Sequence, residues 1–125
     1  MPRNQAVKDR LAELIADHSL FTCPPQALEF GFSARTAVDH EAARRYLAAF
    51  TPAPLHPDIS ECLDLQRRLW EAGHVRAAGA TDTHIAAFAL ANRLTVLHYD
   101  RDFEHLAAAE PALRQEWVAP AGSID

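Results

Sequence analysis

Two acidic residues directly follow the strongest predicted strand of the sequence. The apolar segment at residues 94–97 predicts a buried strand, and the chain continues as His-Tyr-Asp-Arg-Asp, which places Asp100 and Asp102 just beyond it. In a parallel α/β sheet, ligands gather at the carboxyl ends of the strands. We therefore expect chemistry at this end of the strand, carried by carboxylates.

Two further acids belong to neighbouring predicted elements. Asp82 stands at the start of the helix that leads into the same strand, and a tight return from helix to strand brings it toward the sheet. Glu29 lies on a helix after the first predicted strand, between Leu28 and Phe30, so we expect apolar surroundings for it. The simpler alternative stays open for each acid: Asp82 and Asp102 as N-caps, and Glu29 as a solvated helix residue.

Carboxylates that are brought together repel one another, and a cation between them removes the repulsion. Oxygen ligands without cysteine or organised histidine select hard ions such as Mg²⁺ or Mn²⁺. Such ions polarise a phosphoryl group and support an in-line displacement. The chemistry that these acids predict is therefore phosphodiester hydrolysis.

The elements that must position the acids alternate between helix and strand. Apolar periodicity and capping signals predict helices over residues 5–17, 24–32, 39–50, 58–70, 82–90 and 102–110. Asp39 and Asp102 are predicted caps, and the helix beginning near Asp58 receives an apolar stripe of Ile59, Cys62, Leu63, Leu69 and Trp70. Strands are predicted at residues 20–23, 94–97 and 116–118. This order predicts one α/β domain over residues 1–125 with a mostly parallel central sheet flanked by helices.

Composition excludes several classes of protein. With 125 residues, 49% hydrophobic and 23% charged, the chain has the size and composition of one globular domain. A net charge of -5 excludes a general nucleic-acid coat, so any nucleic-acid contact must be local. Cys23 and Cys62 stand far apart and support neither a disulfide framework nor a zinc site. We find no candidate membrane span or signal-peptide core, so we expect a cytoplasmic protein with no membrane partner.

Three stretches of the sequence resemble a PIN domain of the VapC toxin type. They are TCPPQALE at residues 22–29, ATDTHIAA at 80–87 and LTVLHYDRDF at 94–103, and the likeness extends to Glu-Trp-Val at 116–118. The resemblance implies a three-layer PIN-like fold and an Mg²⁺- or Mn²⁺-dependent endoribonuclease. It also implies a homodimer that a VapB-type antitoxin holds inactive by placing its tail in the acidic site. In that pattern Glu29, Asp82 and Asp100 are catalytic and bind the metal, and Asp102 is an accessory catalytic acid.

The sequence departs from this family at its beginning. Members normally start with a short strand that ends in Asp-Thr-Ser or Asp-Ser-Ser and supplies a metal-binding Asp and the middle strand of the sheet. Here the sequence starts with MPRNQAVKDR, which resembles the segment after that strand, so we expect the strand and its Asp to be absent from it. A start codon assigned too late, a decayed gene, and a strand supplied by another chain each fit. Asp9 and Asp17 do not replace the missing acid, because both lie on a predicted amphipathic helix.

Three functional hypotheses follow. The first is a VapC-like endoribonuclease, and the second is a catalytically impaired PIN-like module that pairs with an antitoxin or a paralogue without cleaving RNA. The third is a small α/β domain with no acidic site. His84 and His98 lie near the acids in the sequence, and we expect surface or hydrogen-bonding roles for them rather than catalysis.

Overall fold

A computed structural model describes residues 5–123 as six helices and four short strands. The helices are α1 (Gln5–Ala16), α2 (Pro24–Phe32), α3 (Ala37–Leu47), α4 (Ile59–Glu71), α5 (Ala80–Asn92) and α6 (Asp102–Ala109). The strands are β1 (Phe21–Thr22), β2 (Thr51–Pro52), β3 (Thr95–His98) and β4 (Arg114–Trp117). The first four residues of the segment MPRNQAVKDR, on which the prediction of an absent strand rests, lie outside the described residues.

The described strands form two parallel pairs. β1 pairs with β2, with Phe21 opposite Thr51, and β3 pairs with β4 from Thr95 opposite Arg114 to His98 opposite Trp117. The α/β class and the parallel pairing predicted from the sequence are therefore confirmed. Each described sheet is small, with two strands.

The chain divides into two compact units, Met1–Ala53 and Pro54–Asp125. We call them the N-terminal unit and the C-terminal unit. The N-terminal unit contains α1, α2, α3, β1 and β2, and the C-terminal unit contains α4, α5, α6, β3 and β4. The prediction that residues 1–125 form a single domain stays a prediction. Among residues 5–123, no helix is both long enough and apolar enough to cross a membrane.

The C-terminal unit is built around a hydrophobic core. Leu69 of α4 and Leu106 of α6 are completely buried, and Phe103 of α6 is 5% exposed. α5 is apolar nearly all round, as the sequence predicts, and contributes several buried residues because such a helix must be surrounded by protein. The buried members of the core are Leu65, Leu69, Ala78, Ala86, Ala87, Ala89, Val96, Phe103, Leu106 and Leu113.

The predicted apolar stripe of α4 is partly wrong. The residues of this helix that are buried are Leu65 and Leu69, with Cys62 packed against the core beside them. These positions are three and four residues apart, so they share one helix face. Three of the predicted stripe residues are exposed instead, namely Ile59, Leu63 and Trp70. Apolar residues lie on both sides of this helix, and the pattern alone did not show which side faces the core.

The N-caps of α4 and α3 differ in how well the sequence predicts them. Asp58 caps α4 through a capping box, in which its carboxylate accepts from the Glu61 N–H at 2.8 Å and the Glu61 carboxylate accepts from the Asp58 N–H at 3.2 Å. The predicted cap of α3 is wrong. The cap is Thr36, whose hydroxyl accepts from the Asp39 N–H at 3.0 Å, and Asp39 lies in the first turn.

Candidate functional site

Three of the four predicted acids come together in the C-terminal unit. Asp82, Asp100 and Asp102 each offer one carboxylate oxygen, and these three oxygens lie within 4.8 Å of one another. Asp82 and Asp102 are half-buried, whereas Asp100 is exposed. We call this group the acid cluster. Residues 5–123 contain one group of three acid, histidine or cysteine side chains that lie close enough to hold one metal ion, and it is the acid cluster.

The return from α5 to β3 explains why Asp82 lies near Asp100. Arg93 follows α5 in the left-handed conformation, with φ of 56°, and turns the chain back into β3. The helix rises roughly 15 Å between Asp82 and Asn92. An extended chain covers roughly 16 Å between Thr95 and Asp100. Because the two lengths match, an antiparallel return places the first turn of α5 beside the end of β3.

The first turn of α5 fixes the backbone position of Asp82. The N-cap is Gly79, so the prediction that Asp82 opens this helix is wrong by three positions, and Asp82 lies in the first turn. Thr83 is buried, and its hydroxyl donates to the Gly79 carbonyl oxygen at 2.9 Å, which secures the start of the helix. The positive end of the helix dipole stabilises a carboxylate at this position.

The start of α6 holds Asp100 and Asp102 together. The Asp102 N–H donates to Asp100 Oδ1 at 2.9 Å, and the Phe103 N–H donates to the Asp100 carbonyl oxygen at 3.3 Å. The prediction that Asp102 caps this helix is wrong, because Asp102 is the first residue of the helix and the N-cap is Arg101, which makes no side-chain cap hydrogen bond. Phe103 and Leu106 are buried in the core, which anchors this helix and the two acids at its start.

A buried histidine supports the same loop. His98 ends β3 and is 7% exposed. Its Nδ1 accepts from the Asp100 N–H at 3.1 Å, and its Nε2 lies 2.6 Å from Gln115 Oε1. The hydrogen-bonding role predicted for His98 is confirmed. His84 is exposed, and its ring centroid lies 5.2 Å from that of Phe88.

Sequence reasoning did not find Gln115. It lies in β4 two residues before Trp117, so the two side chains share one face of the strand. A polar residue on the same strand face as a large aromatic residue is a signal for a buried hydrogen bond. That signal becomes useful only when the neighbouring strand and its histidine are known.

Glu29 lies in the N-terminal unit, on α2, and is exposed. Leu28 beside it is 74% exposed, so Glu29 and this neighbour both face solvent and the apolar surroundings predicted for Glu29 are not found. The acid cluster lies within the C-terminal unit and is made of the other three predicted acids. The prediction that Glu29 binds a metal stays a prediction.

The chemistry of the acid cluster fits a hard divalent cation. All three side chains present oxygen ligands, which Mg²⁺ and Mn²⁺ prefer over nitrogen and sulfur. Neighbouring oxygen ligands of one Mg²⁺ ion lie roughly 3 Å apart. The three oxygens lie within 4.8 Å of one another, so a small movement brings them to one ion. Such a cluster can hold a cation against which a phosphate group binds.

An α/β fold with acids gathered after a parallel strand is the architecture that the sequence resemblance implied, and comparison with known proteins gives the family. Residues 2–109 match the PIN domain family. The chain is 34% identical to Ribonuclease VapC21 of Mycobacterium tuberculosis over 122 residues, which cover 94% of this chain and 86% of that protein. Ribonuclease VapC51 of the same species is 36% identical over 104 residues, covering 78% of this chain and 71% of the relative.

A third relative extends the match along the chain. Ribonuclease VapC18 of Mycobacterium tuberculosis is 29% identical over 127 aligned residues, which cover 98% of this chain and 90% of that protein. The chain therefore belongs to the PIN domain family and, within it, to the VapC type of ribonuclease. The resemblance inferred from the three sequence stretches is confirmed.

Proposed function

We propose that this protein is a metal-dependent endoribonuclease that acts as the toxin of a VapBC-like toxin-antitoxin pair. The observation that carries the proposal is the acid cluster, in which Asp82, Asp100 and Asp102 converge within 4.8 Å in a chain of the VapC type. Three relatives of this chain are named ribonucleases, which supports RNA as the substrate. The reaction is the hydrolysis of RNA phosphodiester bonds.

Each acid has a proposed role. Asp82 and Asp100 hold Mg²⁺ or Mn²⁺, and Glu29 is the further metal-binding acid. A bound divalent cation supplies charge neutralisation and polarises the phosphodiester group. Asp102 is the accessory acid, and a carboxylate at this position orients the attacking water and accepts its proton. The amide hydrogen bond from Asp102 to Asp100 keeps the two carboxylates together while RNA binds.

Electrostatics set a condition for RNA binding. The chain carries a net charge of -5, and three carboxylates face the proposed position of the phosphate. Without a cation this arrangement repels RNA, and a bound divalent cation offsets most of the carboxylate charge and offers a positive centre to the phosphate. The proposed enzyme therefore requires the cation for substrate binding as well as for hydrolysis.

The proposed partners are RNA, a cognate VapB-type antitoxin and a second copy of this chain, and the proposed location is the cytoplasm. The antitoxin tail competes with RNA for the acidic site, so a positively charged side chain of the antitoxin is the group that best replaces a cation there. The alternative function is a catalytically impaired module that pairs with an antitoxin or a paralogue without cleaving RNA.

Cleavage of a pool of structured RNAs by the purified chain tests the proposal. The reactions contain Mn²⁺, with EDTA, Asp100→Asn and Asp64→Asn in parallel. Asp64 is a matched control, because it is an exposed aspartate on α4 that pairs with Arg67 at 3.3 Å, and exposed pairs of this kind contribute little to stability. We expect cuts with the unchanged chain and with Asp64→Asn, and none with EDTA or Asp100→Asn. Absence of cleavage by folded protein would favour the non-cleaving module.

A further inference from the structure

His98 occupies a confined position at the end of β3. Its ring centroid lies 5.1 Å from that of Phe103 and 4.9 Å from that of Trp117. Its backbone is fixed as well, because the Val118 N–H donates to the His98 carbonyl oxygen at 2.8 Å. The imidazole therefore has little freedom to rotate, and the positions of its two nitrogens are set by packing.

The hydrogen bonds of His98 assign its tautomer. The Asp100 backbone N–H can only donate, so Nδ1, 3.1 Å away, must accept. The ring hydrogen is then on Nε2, from which it is donated to Gln115 Oε1 at 2.6 Å. Both nitrogens are engaged with protein atoms. His98 therefore binds the backbone N–H of Asp100, and neither ring nitrogen is left to ligate a metal.

A chain of hydrogen bonds connects Gln115 to the acids. Gln115 Oε1 accepts from His98 Nε2, and His98 Nδ1 accepts from the Asp100 N–H. Asp100 Oδ1 in turn accepts from the Asp102 N–H at 2.9 Å. Residues 99–101 belong to no helix or strand, so no regular backbone pairing fixes Asp100. The three carboxylates repel one another, and an external constraint is needed to keep them within 4.8 Å.

From this geometry we infer that His98 is a positioning residue, which fixes the Asp100 backbone so that the acid cluster is assembled before a cation binds. This inference rests on the proposed function, because it assigns His98 to the metal site proposed above. Hydrogen bonds that orient metal ligands commonly change metal affinity by about 10- to 100-fold when they are removed. A side chain that only fills the core would change stability and leave the affinity for the ion unaltered.

Two substitutions of His98 separate these roles. His98→Asn places Oδ1 where Nδ1 stands relative to Cγ, so it keeps an acceptor for the Asp100 amide while losing the ring and the bond to Gln115. His98→Phe keeps a ring between Phe103 and Trp117 and removes the acceptor. Gln115→Leu removes the hydrogen bond that keeps hydrogen on Nε2, so it tests the link before His98 in the same chain of hydrogen bonds.

The dissociation constant for Mn²⁺, measured by electron paramagnetic resonance of the free ion, is compared with the unfolding midpoint of the metal-free protein. We expect His98→Phe to weaken Mn²⁺ binding by about 10-fold or more. We expect His98→Asn to lower the unfolding midpoint without a comparable loss of Mn²⁺ affinity. We expect Gln115→Leu to weaken Mn²⁺ binding less than His98→Phe does, because the ring stays packed between Phe103 and Trp117. If His98→Asn loses as much affinity as His98→Phe, or if affinity follows the unfolding midpoint across the variants, the positioning role is overturned.

Asp100→Asn distinguishes failure of this inference from failure of the proposed function. If the unchanged protein binds Mn²⁺ no better than Asp100→Asn, the metal site is wrong and the role of His98 falls with it. If the unchanged protein binds Mn²⁺ and His98→Phe binds it equally well, the role of His98 alone is overturned.

A measurement on the unchanged protein does not depend on the folding of any variant. Nitrogen-15 shifts of the imidazole should show hydrogen on Nε2, and the Asp100 amide should exchange slowly with solvent although it lies in an exposed loop. Hydrogen on Nδ1, or fast exchange of that amide, would overturn the inference directly.

Discussion

The two units of the chain bury apolar side chains of different size. Among the described residues of the N-terminal unit, the buried hydrophobic side chains are those of Val7, Cys23 and Ala53, and Leu28 and Phe32 are 74% and 90% exposed. The C-terminal unit buries four leucines and Phe103 in one cluster. Since burial of a large apolar side chain contributes about 1.5–3 kcal/mol, the C-terminal unit has the stronger core.

The position of the acids follows the same division. Asp82, Asp100 and Asp102 stand at helix starts whose helices are anchored in the C-terminal core, so this unit orders the acid cluster with its own residues. Glu29 stands on α2, whose apolar residues Leu28 and Phe32 are exposed. A site that needs precise placement of repelling charges is thus built in the unit that buries more large apolar side chains.

Removing a large side chain from each unit should give the largest contrast. Leu69→Ala should lower the free energy of unfolding by about 2–5 kcal/mol, because Leu69 is completely buried and a cavity remains. Leu28→Ala makes the same chemical change at an exposed position and should alter stability by at most about 0.5 kcal/mol. Urea unfolding followed by circular dichroism measures both. Equal losses would show that the N-terminal unit packs as tightly as the C-terminal unit.

Neutralising Glu29 tests how far the N-terminal unit contributes to the chemistry. If Glu29 binds the metal as proposed, Glu29→Gln should lower the initial rate of Mn²⁺-dependent RNA cleavage by about 10-fold or more. The matched control is Glu41→Gln, an exposed glutamate on α3, which should cleave at the unchanged rate. Full activity of Glu29→Gln would confine the working site to the C-terminal unit.

The helix caps give a smaller contrast between the units. Asp58→Ala removes the carboxylate that accepts from the Glu61 N–H in the capping box of the C-terminal unit and should cost about 1–2 kcal/mol of unfolding free energy. Thr36→Ala removes the single side-chain cap of α3 in the N-terminal unit and should cost about 1 kcal/mol or less. Urea unfolding again gives the values. A larger loss for Thr36→Ala than for Asp58→Ala would reverse the expected order.

The two cysteines should give the smallest effect. Burial raises the pKa of the Cys23 thiol, and burial together with the negative charges of Glu61 and Asp58 raises the pKa of Cys62. A raised pKa lowers the fraction of reactive thiolate at pH 8, so iodoacetamide should modify both cysteines more slowly than a free cysteine, and the rates should rise with pH. Asp58→Asn should speed the modification of Cys62 and leave Cys23 unchanged. Mass spectrometry of the modified peptides distinguishes the sites, and rapid alkylation of Cys62 at pH 8 would contradict the raised pKa.

Local signals predicted the elements better than the contacts between them. Asp58 predicted the start of α4, and the apolar segment at residues 94–97 predicted β3, because both signals act within a few residues of sequence. The interpretation of Asp39 as a cap was wrong because Thr36, three residues earlier, is an equally suitable capping residue. Where two capping residues lie within one helical turn, the sequence alone does not decide which of them is the N-cap.

The candidate site shows the same limit. The sequence predicted that Asp82 and Asp100 would approach one another, because the return from helix to strand is short. The support of Asp100 by His98 and Gln115 was not predicted, because it depends on the register of β3 with β4, which pairs residues distant in the sequence. Resemblance to a family supplied the expected roles of the acids, and the pairing of strands supplied the residues that hold them.

Titration of the metal-free protein with Mn²⁺, with free ion measured by electron paramagnetic resonance, tests the central claim most directly. The variants are Asp82→Asn, Asp100→Asn and Asp102→Asn, with Asp64→Asn as the matched control. A cation held by Asp82 and Asp100, with Asp102 beside it, predicts a single site in the unchanged protein, unaltered by Asp64→Asn. Loss of Asp82 or Asp100 should weaken binding by about 10-fold or more, and loss of Asp102 by less, because its role is accessory. Equal binding by all four variants would show that the acid cluster holds no metal and would contradict the proposed site.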